Sequence, residues 1–289
     1  MSVGERSHVS PGCLYVVSTP IGNLADLSER ARAVLAQVDR IAAEDTRTSR
    51  KLLSAYGIQT PCVAVHEHNE SQVCEQLLAQ MIEGQSLALI SDAGTPLVSD
   101  PGFSLVRAAR AAGLPVLAVP GPSALLAALA VSGLPTDRFS FEGFAPAKSG
   151  ARQRWLQARA DEQRTQVYYE SPHRIVDCLS DMLAVFGERR PICVARELTK
   201  RFEETHTAPL ADALAWLKAD PNRQRGEFVL VVGGAEGAGG DAEDREAERV
   251  LDALLAVLEP SAAARTAAQL TGLSKNQLYK KALERSNKA

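Results

Sequence analysis

From residue 13 onward the chain repeats one phrase. A short, largely apolar run is followed by a polar break rich in Gly, Pro, Asp or Ser, and then by apolar residues at every third or fourth position. The runs at 14–17 (LYVV), 40–43 (RIAA), 62–65, 87–90 (LALI) and 115–119 predict strands. The periodic stretches at 27–38, 48–56, 71–83, 103–112 and 124–132 predict helices. Strands that are apolar throughout, rather than alternating, belong to a parallel sheet covered on both faces. In such a sheet the ligand loops lie at the carboxyl ends of the strands. Here those loops read STPIGN, EDTR, HEHN, SDAGTPLVSDPG and PGPS.

The texture changes at residue 135. Strand-like segments at 139–144, 166–170, 192–196, 202–207 and 227–232 outnumber helical ones at 149–160, 174–186 and 209–219, and a hairpin is expected around 192–207. Residues 233–243 (GGAEGAGGDAE) read as a flexible linker. Helical patterns follow at 247–258, 262–270 and 275–285, the last two joined by TGLS, with Gly in the turn and Ser as N-cap. The expected organisation is an α/β domain over 13–134, a mixed α+β domain over 135–233, a linker over 234–243 and a helix-turn-helix-like module over 244–289.

Composition narrows the class. The chain has 289 residues, 45% of them hydrophobic, and a net charge of -3, so it is globular and not basic overall. Any nucleic-acid surface must therefore be local. From Ser261 onward six Lys/Arg face one acidic residue, a local excess of +5. The five cysteines are scattered without a CxxC pair, which argues against a disulfide framework or a zinc site. No secretory signal or bilayer-spanning run is evident, and a cytoplasmic protein is expected.

The stretch SDAGTPLVSDPG is the densest chemistry in the chain. Gly94 and Gly102 permit left-handed backbone and close ligand approach, Pro96 and Pro101 stiffen the loop, and Asp92 and Asp100 are short acceptors. Taken with STPIGNLADLS, AEDTRTSRKLL, VPGPSALLAALAVSGLP, FEGFAP and YYESPHRI, it resembles the small-subunit ribosomal RNA cytidine 2′-O-methyltransferase family. That family is a branch of the tetrapyrrole methylase superfamily. Six blocks in the same order carry the resemblance from about residue 14 to 232, and the last helices are similar to the family's extra domain.

The resemblance implies a tetrapyrrole-methylase-like two-domain fold and S-adenosyl-L-methionine held in a cleft. It also implies methyl transfer to a cytidine ribose of 16S rRNA near the decoding centre (P site) of the small ribosomal subunit, in a homodimer. Corrinoid and porphyrinoid methylases carry GxGPG after the first strand. STPIGN stands there in this chain, which argues against a tetrapyrrole substrate. The implied cofactor residues are Asp92, Ala93, Gly94 and Thr95 at the methionine end, with Pro120, Gly121, Pro122, Ser123 and Ala124 in the next loop. Tyr168, Tyr169, Glu170 and Gly226 are expected on the adenine side.

A ribose hydroxyl is weakly acidic, so a general base helps its attack on an activated methyl. Glu44 and Asp45 are the favoured candidates, with a salt-bridged Asp45–Arg47 pair as the structural alternative; Asp26 and Asp100 are further candidates. RNA contacts are expected from Arg47, Arg50 and Lys51, and from a basic run that includes Lys148, Arg152 and Arg154 with Arg159, Arg164 and Arg174. Lys275, Lys280 and Lys281 are expected to serve in the C-terminal module. Trp155 reads as core, and His66 and His68 as loop polar residues or RNA contacts rather than metal ligands. Two other functions fit less of the sequence: a tetrapyrrole C-methyltransferase, and a non-catalytic RNA-binding factor on the same fold.

Overall fold

The structure is a computed structural model that describes residues 9–65, 69–235 and 242–286. His66, His68 and most of the expected linker lie outside the described residues. Two compact units are present: residues 1–160 with 164–233, and residues 161–163 with 234–289.

The first unit begins with five strand–helix pairs: β1 (Leu14–Val17), α1 (Glu29–Gln37), β2 (Arg40–Ala43), α2 (Thr46–Ala55), β3 (Cys62–Ala64), α3 (Glu70–Ile82), β4 (Leu87–Ile90), α4 (Phe103–Ala111), β5 (Val116–Val119) and α5 (Ala124–Val131). The strands form one sheet in the order β3-β2-β4-β1-β5, with every pairing parallel. Both faces are buried, as the apolar runs require. Tyr15, Val17, Ile41 and Ala88 pack with Leu35 and Leu53 of α1 and α2, while Leu14, Leu87 and Leu89 pack with Leu77 of α3 and Leu105 of α4. Short polar side chains start two of the helices. Ser28 Oγ accepts from Ala31 N at 3.1 Å, and Asp45 Oδ1 accepts from Arg47 N at 2.7 Å. The strand order reverses direction at β1 and β4, so the crevice above their carboxyl ends is where a ligand is expected.

A second sheet follows: β6 (Phe139–Phe144), α6 (Ser149–Gln157), β7 (Thr165–Glu170), α7 (Ile175–Phe186), β8 (Pro191–Arg196), β9 (Glu204–Pro209), α8 (Leu210–Ala219) and β10 (Phe228–Val232). Its order is β6-β7-β10-β8-β9. Of its four pairings, β6–β7 is parallel and the other three are antiparallel. The expected hairpin is β8–β9. Along β10 the two faces separate cleanly. Phe228, Leu230 and Val232 enter a core with α7 and α8, whereas Val229 and Val231 pack against Ala128 and Leu129 of α5. The helix that ends the first sheet thus covers one face of the second.

This alternation corrects one reading. Tyr168 faces the α7–α8 core, fully buried, and its hydroxyl donates to Gln166 Oε1 at 2.5 Å. Burial pushes its hydroxyl pKa far up. Its neighbour Tyr169, one residue on and therefore on the other face, is the tyrosine at the cleft.

The second unit holds α9 (Ala242–Leu255), α10 (Pro260–Thr271) and α11 (Lys275–Ser286). Ala263, Ala264 and Ala267 of α10 pack against Ala247 and Leu251 of α9 and Leu278 and Ala282 of α11, so its small core is built largely from alanine. Gly272 closes α10 at φ 75°, the left-handed position the TGLS turn needs. Among the described residues no helix is long and apolar enough to cross a membrane.

Candidate functional site: a carboxylate-lined cleft

The loops after β1, β2, β4 and β5 lock onto one another. Thr19 and Gly94 exchange both backbone hydrogen bonds, at 2.8 and 3.0 Å. The Ser18 and Thr95 hydroxyls are 2.9 Å apart, and Thr95 Oγ1 donates to Pro122 O at 3.1 Å. The β2 and β4 loops are joined by a reciprocal pair: Asp92 N donates to Glu44 Oε2 at 3.3 Å, and Asp45 N donates to Asp92 Oδ1 at 3.2 Å. Gly121 sits so close to the β1 loop that a Cβ would lie 3.0 Å from Ser18 Cβ. Leu97 and Ser99 hold φ 75° and 69°, unusual for residues with side chains and common at ligand clamps.

These loops and the edge of the second sheet enclose a cavity of about 380 Å³, within the range of small-molecule sites. Its walls have two characters. Ile21, Val98, Leu198 and Val229 make an apolar slot, with Phe144 and Tyr169 beside it, their rings 5.7 Å apart. The carboxylates Glu44, Asp92 and Asp100 also line the cavity, and Glu170 and Glu227 border it. Among the described lining residues there is no Lys, Arg or His.

Crowding of like charge shows in the acidities. Burial raises the Glu44 carboxyl against its bond from Asp92 N, and Asp100, Asp92 and Asp45 raise it further. Asp92 and Asp100 are likewise raised, mainly by burial. Such a cavity suits a cation or a hydrogen-bond donor and disfavours phosphate.

The expected site residues divide on this geometry. Asp92, Ala93, Gly94, Thr95, Ser123, Ala124 and Glu170 line the cavity, as does Glu44. Ser123 occupies the N-cap position of α5, makes no side-chain capping bond and lines the cavity. Asp45 does not line it. As N-cap of α2, its carboxylate is taken by Arg47 at 2.9 Å and held at a pKa of about 2, chiefly by the Arg47 side chain. Pro120 and Gly121 shape the β5 loop from behind. Gly226, at φ 94°, packs on Glu197 and not on the cavity. Ile21 and Val98 lie in two of the expected ligand loops and Phe144 in the FEGFAP block, but nothing in the sequence singles them out, and Leu198 lies in none of the six blocks. They lie in four separate segments, and no local pattern links them.

The basic residues divide as well. Arg47, Arg50, Lys51, Lys148 and Arg154 are exposed. Arg152 is buried, donating to Asp181 at 2.6–2.7 Å and to the carbonyls of Pro146 and Ala147; it braces α6 against α7 and cannot meet RNA. Arg159 pairs with Glu142 and lies 3.6 Å above the half-buried Trp155 ring, and Arg174 pairs with Glu170. In the second unit Lys275 and Lys280 are exposed, while Lys281 bonds Glu248 at 2.5 Å.

Comparison with known proteins decides the family. Residues 13–214 match the Tetrapyrrole (Corrin/Porphyrin) Methylases, and residues 241–286 match the RsmI C-terminal HTH domain. Ribosomal RNA small subunit methyltransferase I of Pseudomonas aeruginosa is 51% identical over 282 residues, spanning 97% of this chain and 100% of the relative. The protein of the same name from Escherichia coli O157:H7 is 52% identical over 286 residues, spanning 98% and 99%. The chain belongs to the ribosomal RNA small subunit methyltransferase I family, within the tetrapyrrole methylases. A solved uroporphyrin-III C-methyltransferase from Thermus thermophilus, complexed with S-adenyl homocysteine, shares the fold at TM-score 0.52 and 22% identity, over 76% of this chain and 96% of that one.

S-adenosylmethionine is the methyl donor of ribosomal RNA small subunit methyltransferase I proteins, and the cavity fits it. The left-handed Gly94 (φ 83°) brings bare backbone to the wall. Asp92 and Asp100 offer acceptors for an ammonium and for ribose hydroxyls. The apolar slot suits a purine, and the anionic lining suits a sulfonium. The Glu170 side chain is fully buried and paired with Arg174, on the same face of β7 as Tyr168, so it braces the cleft edge from the α7 side.

Proposed function

We propose that this protein methylates the ribose 2′-hydroxyl of a cytidine in 16S rRNA near the decoding centre, acting on the small ribosomal subunit as a homodimer in the cytoplasm. The observation that carries the reading is the cleft itself: an anionic cavity formed by interlocked Gly/Asp loops and lined by three raised carboxyls, Glu44, Asp92 and Asp100, of which Glu44 comes from the β2 loop. Near-full-length likeness to proteins named for small-subunit rRNA supports the substrate class.

Bound S-adenosylmethionine supplies a methyl group already activated by its sulfonium. The β4 and β5 loops hold the donor, and the reciprocal Asp92–Glu44 and Asp45–Asp92 bonds fix the β2 loop beside it. Glu44 accepts the ribose proton. Its raised pKa, set by burial and the neighbouring carboxylates, makes it a stronger base than an ordinary carboxylate. Asp45, pinned by Arg47, is the weaker base and serves as a cap.

Phosphates are kept out of the anionic cavity and meet the exposed Arg47, Arg50, Lys51, Lys148 and Arg154 outside it. The C-terminal helical unit adds Lys275 and Lys280 as a separate RNA-binding module. Leu126 and Val131, about half exposed on α5, are the apolar surface expected of a dimer contact.

Methyl incorporation from labelled S-adenosylmethionine tests the reading, with 30S subunits and a uroporphyrinoid offered in parallel. Label in 16S rRNA is expected, and label in the porphyrinoid alone would overturn it.

A further inference from the structure

The 197–203 connection between β8 and β9 is built at a cost that its own packing does not explain. Glu197 and Thr199 hold φ 51° and 66° without being glycine, and Thr199 Oγ1 is buried without a hydrogen-bond partner. The turn is nevertheless rigidly braced. Thr199 N donates to Glu203 Oε2 at 2.6 Å, Glu197 N donates to Glu227 O at 2.9 Å, and Lys200 Nζ bonds both Glu197 and Glu227 at 2.8 Å.

Its place is the rim of the cleft. Leu198 and Glu227 line the cavity, and the β1 loop presses so closely that a Cβ on Gly22 would lie 2.4 Å from Lys200 Cγ.

What this braced turn presents outward is Phe202, 65% exposed, with the Arg201 guanidinium 5.5 Å from its ring. A phenylalanine so exposed adds little to the core, and a fixed turn holds it in place before any ligand arrives. A flat ring beside an exposed cation, next to a cavity that repels phosphate, is the composition of a stacking site for single-stranded nucleic acid.

We infer that Phe202 stacks on a nucleobase of the RNA substrate beside the target nucleotide and that Arg201 engages the neighbouring phosphate. This inference rests on the rRNA reading above. It assigns the turn a role in substrate placement at the same cleft.

The test uses the full-length chain, 30S subunits and a labelled single-stranded fragment of 16S rRNA, with F202A, F202L and F202W. F202A and F202L are expected to raise the RNA KM and the fragment Kd about tenfold. Their kcat and their calorimetric affinity for S-adenosylhomocysteine should stay near wild type. F202W should keep wild-type KM, and its added indole emission should be quenched by the fragment. Leucine performing as well as phenylalanine would overturn the inference, because leucine keeps the apolar bulk but has no ring face to stack. So would loss of S-adenosylhomocysteine affinity in F202A, which would make the residue part of the cleft wall. If the wild-type chain leaves 16S rRNA unmethylated yet the F202W emission is quenched by the fragment, stacking stands and the methylation reading falls.

Discussion

Two aspartate–arginine pairs in this protein contain the same chemical groups and do opposite things. Asp45–Arg47 sits at the start of α2 with the arginine 87% exposed; Asp181–Arg152 joins α7 to α6 with the arginine 2% exposed. Both carboxyls are lowered. In Asp45 the Arg47 side chain dominates. In Asp181 burial acts to raise the pKa, and hydrogen bonds from Gln153, Ser149 and Arg152 outweigh it. In water, Arg47 gives up its partner easily and can exchange it for an RNA phosphate. Buried Arg152 has no such option, because either charge left alone in the core is costly. Charge in a sequence therefore marks an RNA contact only where the fold leaves that charge wet.

The largest effect is expected for Arg152→Ala, which strands Asp181. Denaturant unfolding should show a loss of about 3 kcal/mol or more, and a loss below about 1 kcal/mol would erase the distinction between the pairs. The buried pair also has a pH signature. Because the folded-state pKa of Asp181 is depressed, its stabilisation is complete above the ordinary carboxylate range and disappears as pH falls through the lowered value. Asp181→Asn should remove that part of the acid limb.

Next in size is Glu44→Gln, which changes the residue beside Asp45 but belongs to the cavity. Single-turnover methylation should slow about 100-fold with cofactor affinity retained. Since only the ionised form accepts a proton, wild-type kcat should rise with pH through a value above the usual carboxylate range, and the variant should lack that limb.

Arg47→Ala should leave the unfolding midpoint unchanged, weaken RNA binding several-fold and reduce the salt slope of binding by about 1. An unchanged slope would mean that Arg47 touches no phosphate. Smallest of all, Asp45→Asn should keep its capping role and alter neither fold nor cofactor affinity, because asparagine caps a helix as well as aspartate.

The strands were legible because a parallel sheet buried on both faces leaves an unbroken apolar run, and β1, β2 and β4 fall at the expected residues. Boundaries slipped where a side chain misled. The apolar Phe202 drew β9 to 202–207, whereas the strand is Glu204–Pro209 and Phe202 belongs to the turn. The short 3-10 turn Pro221–Gln224 was not foreseen.

The acidic half of the cleft was readable because it sits in contiguous Gly/Asp loops. Its apolar half was not, since Ile21, Phe144 and Leu198 meet only in three dimensions. The choice between Tyr168 and Tyr169 needed strand parity. The fate of Arg152 needed a partner 29 positions away.

The central claim is that the carboxylate-lined cleft delivers a methyl group to a ribose of small-subunit rRNA. Nuclease digestion and mass mapping of 16S rRNA, taken from cells with and without this protein, tests it most directly. The account predicts one cytidine near the decoding centre that carries a ribose methyl when the protein is present and lacks it when the protein is absent. A methyl on a base, or a 16S rRNA methylation map that does not change, would contradict it.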